Sequence, residues 1–162
     1  MGTFSASSSS SLTPQWTYDA FLSFRGEDTR NGFTDHLYVA LKQAGIVTFK
    51  DDEKLEKGKS ISPELLKAIE ESRFAIVILS SNYASSTWCL DELAKINKCM
   101  KETRLKILPI FYHVNPSDIR NQTGTFAQAF DKHKNENIEK VQTWRAALKK
   151  VANLSGWHLQ DG

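Results

Sequence analysis

Short apolar runs and stretches of helical periodicity alternate along the chain from residue 18 onward. Runs rich in β-branched and aromatic residues predict strands at 18–24, 46–49, 74–79 and 107–114, with a short edge strand at 156–159. The run at 74–79 has no polar alternation, which is typical of a central strand that is covered on both faces.

Apolar residues at helical spacing predict helices between and after these strands. Gly45 ends the first helix, and the third helix begins near Ser86 or Thr87. Ser62 and Pro63 favour the start of the second helix, because serine caps a helix and proline fits its first turn. The periodic positions are Phe33, Leu37, Leu41 and Ala44; Leu65, Leu66 and Ile69; Leu90, Leu93 and Ile96; Phe126 and Phe130; and Val141, Trp144, Leu148 and Val151.

Strands that alternate with helices predict an α/β domain, in which helices cover both faces of a parallel sheet. Right-handed crossovers leave few topologies for 162 residues, and we expect a three-layer, flavodoxin-like fold with a five-stranded parallel sheet. Ligands of such sheets bind outside the carboxyl ends of the strands. Candidate chemistry is therefore expected after Phe24, after Phe49 and from Ser80 onward.

The composition is that of one globular domain, with 40% hydrophobic residues, 25% charged residues and a formal net charge of +2. The small charge and the lack of a basic stripe argue against a nucleic-acid partner. No apolar run is long enough to cross a bilayer, which argues against a membrane partner. Residues 1–16 contain the serine run 7–11 and predict a disordered tail ahead of a domain at 17–162.

Two cysteines, Cys89 and Cys99, favour a reducing compartment such as the cytoplasm. On one helix they would lie about 15 Å apart. That separation is too large for a disulfide, so we expect burial of at least one free thiol. The four histidines show no metal-ligand spacing with the cysteines, and no metal site is predicted. Gly-rich nucleotide-binding loops are absent as well, so no prosthetic group is expected.

Arg25 and Arg30 follow the first strand and could clamp phosphate oxygens, since the guanidinium fork matches that geometry. The alternative is that they pair with Glu27 or Asp28 and merely order the loop. The polar loop at 51–58 is likewise either a mobile lid or an inert solvated segment.

Trp88 and Glu92 are four residues apart, so on a helix they project from the same face. An aromatic ring beside a carboxylate suits a ligand that carries a flat ring next to a sugar. The carboxylate would bind ribose hydroxyls or stabilise positive charge at the anomeric carbon. The alternative is a core tryptophan with a solvated glutamate.

Several segments together resemble the conserved boxes of plant Toll/interleukin-receptor (TIR) domains, and the resemblance extends from Tyr18 to the end of the chain. The matching segments are Tyr18–Arg30, Gly45–Ile46 with Thr48–Phe49, Leu65–Ser72, Trp88–Leu93, Pro109–Tyr112 with Val114, Pro116 and Ser117, and Ala152–Trp157.

The resemblance implies the N-terminal module of an intracellular plant immune receptor, located in the cytoplasm with the nucleus as an alternative. Many members of this family hydrolyse NAD⁺ at the nicotinamide–ribose bond once they self-associate, and NADP⁺ is an alternative substrate. The family's catalytic glutamate corresponds to Glu92 and its neighbouring aromatic residue to Trp88. Arg25, with Arg30 as a further candidate, would face the substrate, as would Phe49 at the start of a mobile loop.

Self-association is implied through the first helix, where many relatives have a Ser-His pair and this chain has Asp35 and His36. Aspartate could repel its own copy across a two-fold contact, or it could pair with His36. A second face on the last two helices would include Trp144 and Lys149. The rival hypothesis is a non-catalytic adaptor, which works only by docking to other TIR domains.

Overall fold

The computed structural model describes residues 16–50 and 61–160 of the chain. Its strands are β1 (Tyr18–Ser23), β2 (Thr48–Lys50), β3 (Ser72–Leu79), β4 (Lys106–Tyr112) and β5 (Trp157–Leu159). Its α-helices are α1 (Gly26–Thr29), α2 (Asp35–Gln43), α3 (Pro63–Glu70), α4 (Thr87–Glu102), α5 (Pro116–Asn121), α6 (Thr125–His133) and α7 (Ile138–Ala152). A π-helical turn at Arg30–Thr34 leads into α2, and a 3₁₀ turn at Tyr83–Ser85 precedes α4.

The five strands form one sheet in the order β2-β1-β3-β4-β5, and each neighbouring pair is parallel. This order confirms the predicted flavodoxin-like fold. From β1 the chain leads to β2 on one side, whereas β3 lies on the other side. The direction of strand order therefore reverses between β1 and β3, and ligands of such sheets bind at this switch point.

Helices cover both faces of the sheet, but the two cores differ in size. The larger core contains the buried residues of α3, α4, α6 and α7, together with Phe21 of β1. The smaller core contains Ala20, Leu22 and Phe24, against which residues of α2 pack while remaining partly exposed. Alternate residues of β1 thus face opposite layers, as a strand covered on both faces requires.

Helix starts follow the predicted signals. Ser62 accepts a hydrogen bond from the backbone N–H of Leu65 at 3.2 Å, with Pro63 in the first turn of α3. Ser86 accepts one from the backbone N–H of Cys89 at 3.1 Å and caps α4. On α3, Ala68 is buried and Leu66 is only half-buried, which corrects the predicted inner face.

Strand ends differ from prediction by one or two residues. The fourth strand was expected to reach Val114 but ends at Tyr112, because the backbone of His113 turns to a φ of 55°. Helix α5 was not predicted, since it has six residues and buries only Ile119, too little for a periodic signal. Gly156 lies against β4, where an added Cβ would come within 2.2 Å of the Pro109 carbonyl oxygen, so only glycine fits.

Two predictions concern segments outside the described residues. One is the prediction of a disordered tail at 1–16, of which residues 1–15 are not described. The other is the prediction for the polar loop at 51–58. Within residues 16–50 and 61–160, no helix combines the length and the apolar character needed to cross a membrane.

Candidate active site

The carboxyl end of β1 carries a fully buried serine. Ser23 is the last residue of the strand, and its side chain points into the same layer as Phe21. Its hydroxyl donates a hydrogen bond of 2.7 Å to Oε1 of Glu92 on α4. The first turns of α4 are thereby linked to the edge of the sheet at the switch point.

Trp88 and Glu92 lie on the same face of α4, as their spacing predicts. The indole N–H of Trp88 donates to Oε2 of Glu92 at 3.0 Å, so both carboxylate oxygens accept hydrogen bonds. The Glu92 residue is only 3% exposed, which excludes the alternative of a solvated glutamate. A buried carboxylate held at both oxygens has a defined direction, which a catalytic group requires.

The exposed stacking surface expected of Trp88 is absent. The residue is 8% exposed and its ring packs within the larger core. The core-tryptophan alternative is therefore the one observed for the ring, while the indole N–H orients Glu92. The four-residue spacing could not reveal which side of the indole would be covered.

Tyr83 completes the cluster from the 3₁₀ turn and was missed by sequence reasoning. Its hydroxyl lies 2.7 Å from the Ser23 hydroxyl and 3.2 Å from the carbonyl oxygen of Cys89. Burial raises the pKa of Tyr83 well above its usual range, and the nearby Cys89 and Glu92 raise it further. The phenol therefore stays protonated and available as a donor.

Asp28 of α1 joins the loop after β1 to the loop after β3. One carboxylate oxygen accepts hydrogen bonds from the Ser80 hydroxyl and the backbone N–H of Asn82, and the other accepts from the Asn82 side chain. Sequence reasoning considered Asp28 only as a partner for arginine. The signal that could have found it was its place after one strand and that of Ser80 after the neighbouring strand.

Arg25 lies immediately after β1, at the same edge. Its guanidinium pairs with Glu27 at 3.0 Å, so the predicted local ion pair is present. The side chain is 22% exposed, and its buried Nε has no hydrogen-bond partner among the residues that the structure describes. A buried guanidinium N–H without a partner is costly, and a phosphate oxygen would satisfy it.

Arg30 and Phe49 occupy different surroundings. The Arg30 guanidinium lies over the Phe24 ring at 5.3 Å, and Phe24 belongs to the smaller core on the other side of the sheet from Ser23. The Phe49 ring stacks on Phe21 with centroids 5.4 Å apart, in the layer that contains Glu92. The geometry thus supports Phe49 more directly than Arg30 as a neighbour of the carboxylate.

Both cysteines are free, as predicted, and both are buried, where burial of at least one was expected. The Cys89 thiol donates to the Phe24 carbonyl oxygen at 3.4 Å, beside the cluster. Burial raises the pKa of Cys89 far above its usual range, and Glu92 raises it further, so the group is a neutral thiol. Burial also raises the pKa of Cys99.

The predicted docking residues divide into exposed and buried groups. His36 and Asp35 are exposed on α2. The carboxylate of Asp35 lies 3.9 Å from the ammonium group of Lys50 and forms an ion pair with it. Lys149 is exposed on α7. The prediction that Trp144 is a docking residue is wrong, because Trp144 is 1% exposed and its indole N–H donates to Asp91 at 3.0 Å within the fold.

A cavity lies beside β4 and β5, between residues that follow β4 and residues that precede β5. It has a volume of about 500 Å³ and is lined by residues that include Phe111, Arg120, Asn153 and His158. None of the predicted site residues lines it. In the part of the chain that the structure describes, no group of three or more histidine, cysteine or acidic side chains is arranged to hold a metal ion.

The sequence matches one known protein family over most of its length. A model of the TIR domain matches residues 17–162. The chain belongs to the TIR domain family. The buried Glu92 cluster is therefore a feature of a TIR domain, at the edge of the sheet where flavodoxin-like folds bind ligands.

Similar proteins are plant disease-resistance proteins. Disease resistance protein RPV1 of Vitis rotundifolia is 57% identical over 157 residues, which cover 97% of this chain and 11% of RPV1. TMV resistance protein N of Nicotiana glutinosa is 54% identical over 151 residues, which cover 91% of this chain and 13% of protein N. The TIR domain thus spans a small fraction of the length of these curated relatives.

A solved structure supports the fold independently. The TIR domains of the activated Roq1 resistosome, which directly recognizes the pathogen effector XopQ, superpose on this TIR domain with a TM-score of 0.81. The sequences are 54% identical, and the match covers 88% of this chain and 87% of that one.

Proposed function

We propose that this TIR domain hydrolyses NAD⁺ at the nicotinamide–ribose bond and signals in plant defence and cell death. The observation that carries the proposal is the Glu92 carboxylate, which is buried at the switch point and held at both oxygens by Ser23 and Trp88. A single carboxylate suffices for this reaction, because nicotinamide is a good leaving group and needs no general acid.

In the proposed reaction, nicotinamide leaves with the electron pair of the glycosidic bond. Positive charge then grows on the ribose, and Glu92 stabilises it electrostatically from an environment with little water. Water adds to the anomeric carbon and loses a proton, giving ADP-ribose. Arg25 would hold the pyrophosphate, since its buried Nε is without a partner among the described residues.

The remaining residues have supporting roles. Trp88 orients the carboxylate through its indole N–H. Phe49 packs on Phe21 in the layer of the carboxylate and would border the substrate. Arg30 is a further candidate for the pyrophosphate, and NADP⁺ is an alternative substrate.

The reaction is proposed to need self-association. Glu92 is 3% exposed, so a ribose cannot reach it until the structure around it opens. Contact with a neighbouring copy would stabilise the open arrangement, as mass action allows for any binding that favours one conformation. The likeness to the TIR domains of the Roq1 resistosome supports such assembly. The cytoplasm, or the nucleus, is the proposed location.

The test is nicotinamide release from NAD⁺ at increasing concentrations of the TIR domain. If self-association opens the site, the rate per molecule rises with protein concentration, from near zero in dilute solution. A rate per molecule that stays constant across the series would contradict the need for self-association. No nicotinamide release at any concentration, including under crowding, would contradict the hydrolase itself.

A docking module without catalysis is the second candidate. The observation that favours it is α2, whose nine residues are described in full and include no buried one. Such a helix offers a broad surface to a partner. This candidate predicts defence signalling that depends on α2 and is unaffected by Glu92→Ala.

A further inference from the structure

Two buried hydroxyl groups, those of Ser23 and Tyr83, lie next to each other beside Glu92, and only the bond from Ser23 to Oε1 has entered the proposed reaction so far. We infer that Ser23 and Tyr83 are positioning residues, whose hydrogen-bond chain sets the direction of the Glu92 carboxylate for hydrolysis. The inference rests on the proposed function and adds to it two residues that do not themselves contact the substrate.

The hydrogen bonds of this chain have a defined direction of donation. Ser23 lies 2.7 Å from both the Tyr83 hydroxyl and Oε1 of Glu92, but it has only one proton to donate. The Ser23 hydroxyl is the donor to Oε1, so its proton points to Glu92. The Ser23 oxygen then accepts from Tyr83, whose raised pKa keeps its proton in place. That single proton is shared between the Ser23 oxygen at 2.7 Å and the Cys89 carbonyl oxygen at 3.2 Å, and the Ser23 contact is the shorter one. The order of donation is Tyr83 to Ser23 to Glu92.

This hydrogen-bond chain fixes the position of the carboxylate relative to the sheet. The Trp88 hydrogen bond joins two residues of the same helix, so it sets the rotamer of Glu92 relative to α4 only. The Ser23 bond crosses from α4 to β1, and the Tyr83 bond adds the 3₁₀ turn. The turn is held in its own place by His133, whose Nε2 lies 2.9 Å from the Ala84 carbonyl oxygen.

Both hydroxyl-bearing residues are rigidly placed. Ser23 and Tyr83 are 0% exposed, so solvent does not compete for their hydrogen bonds. In a buried environment, hydrogen bonds in a series polarise and strengthen one another. A carboxylate oxygen held in this way has little freedom to turn, so its direction within the site is defined.

The charged and titratable groups around this hydrogen-bond chain come from four elements. Arg25 follows β1, Asp28 lies on α1, Cys89 lies on α4, and all three interact electrostatically within this cluster. His133 of α6 contacts the 3₁₀ turn. Substitution of Ser23 leaves each of these groups in place, so a change in pH dependence reports on the lost hydroxyl.

The experiment compares Ser23→Ala with Ser72→Ala in concentrated protein, with nicotinamide release from NAD⁺ as the readout. Ser72 is an ideal control, since it is also a 0% exposed strand serine but donates to the Ala68 carbonyl oxygen at the opposite end of the sheet. We expect Ser23→Ala to lower kcat about tenfold with KM unchanged, because a hydrogen bond to a charged group is lost. Ser72→Ala should keep the wild-type kcat.

The pH profile separates positioning from general loosening of the fold. Loss of a donor to the ionised carboxylate favours its protonated form. The acidic limb of the kcat profile should therefore move to higher pH in Ser23→Ala and return in Ser23→Thr, which restores a hydroxyl. Tyr83→Phe removes one oxygen atom from the core and should give a smaller change in the same direction.

A second measurement needs no turnover. In protein with ¹³C-labelled glutamate, the Glu92 carboxyl signal should titrate at higher pH in Ser23→Ala than in Ser72→Ala. Equal titrations and equal kcat values in these two variants would overturn the inference. If wild type and Glu92→Ala release nicotinamide equally, the proposed function fails instead, and the NMR titration still decides the hydrogen-bond chain.

Discussion

Helices α4 and α2 lie on opposite faces of the same sheet and differ in almost every physical respect. Seven of the 16 residues of α4 are buried, Glu92 among them, whereas none of the nine residues of α2 is buried. The larger core gives α4 the fixed surroundings that a catalytic carboxylate requires. The smaller core leaves most of α2 open, which suits contact with another molecule.

The difference begins in the sequence. Along α4, apolar residues and Glu92 form an inner face, from which Glu92 reaches Ser23 of β1. Helix α7 packs beside α4 through contacts such as the bond between Trp144 and Asp91. On α2, Leu37, Tyr38 and Leu41 reach the sheet only partly, and Val39 is 45% exposed. One layer is therefore built for stability, and the other retains an exposed surface.

The largest effect is expected from Trp144→Ala, in the larger core. Loss of this fully buried indole should reduce the free energy of unfolding by about 3–5 kcal/mol, since a cavity remains and Asp91 loses one hydrogen-bond donor. The control is Trp157→Ala, because Trp157 is 60% exposed and should cost far less. Urea unfolding of both variants measures the difference, and equal losses would show that burial does not distinguish the two sites.

A smaller effect on stability, but a large one on assembly, is expected from Val39→Lys on α2. Since Val39 is 45% exposed, unfolding should change by less than about 0.5 kcal/mol. A cation within the proposed docking surface on α2 should nevertheless weaken self-association, measured by sedimentation velocity. Val47→Lys changes an equally apolar residue that is 55% exposed and lies off this helix. If both variants associate alike, α2 is not the docking surface.

The smallest effect is expected from Asp35→Asn. Asp35 lies 3.9 Å from Lys50 and its side chain is 55% exposed, so the pair should contribute less than about 1 kcal/mol to folding. Thermal unfolding in low and high salt measures this contribution, which screening should remove. A loss well above that value would mean that the pair is shielded from solvent, and the outer surface of α2 would need a different description.

The fold could be predicted because its signals are local. Continuous apolar runs, serine caps at Ser62 and Ser86, and the glycine after the first helix each depend on a few neighbouring residues, and each is found in the structure. The end of β4 was not predictable in this way. It depends on the left-handed backbone of His113, a conformation that histidine adopts more often than most residues but still only occasionally.

The candidate site was predictable only in part. Helical spacing placed Trp88 and Glu92 together, because four residues are about one turn. Tyr83 and Ser23 were missed, since their contacts join residues 60 and 69 positions apart in the chain. Trp144 was predicted both as an apolar position on the inner face of the last helix and as a docking residue on the surface. The structure buries it, so the helical spacing of the apolar residues gave the correct prediction.

The most direct test of the account is nicotinamide release from NAD⁺ by concentrated wild type, Glu92→Ala and Glu102→Ala, side by side. Glu102 ends the same helix α4 but is exposed, so it controls for the loss of a glutamate from that helix. The account predicts release by wild type and Glu102→Ala, and at least a hundredfold less (about 3 kcal/mol in the barrier) by Glu92→Ala. Equal release by all three proteins would contradict it.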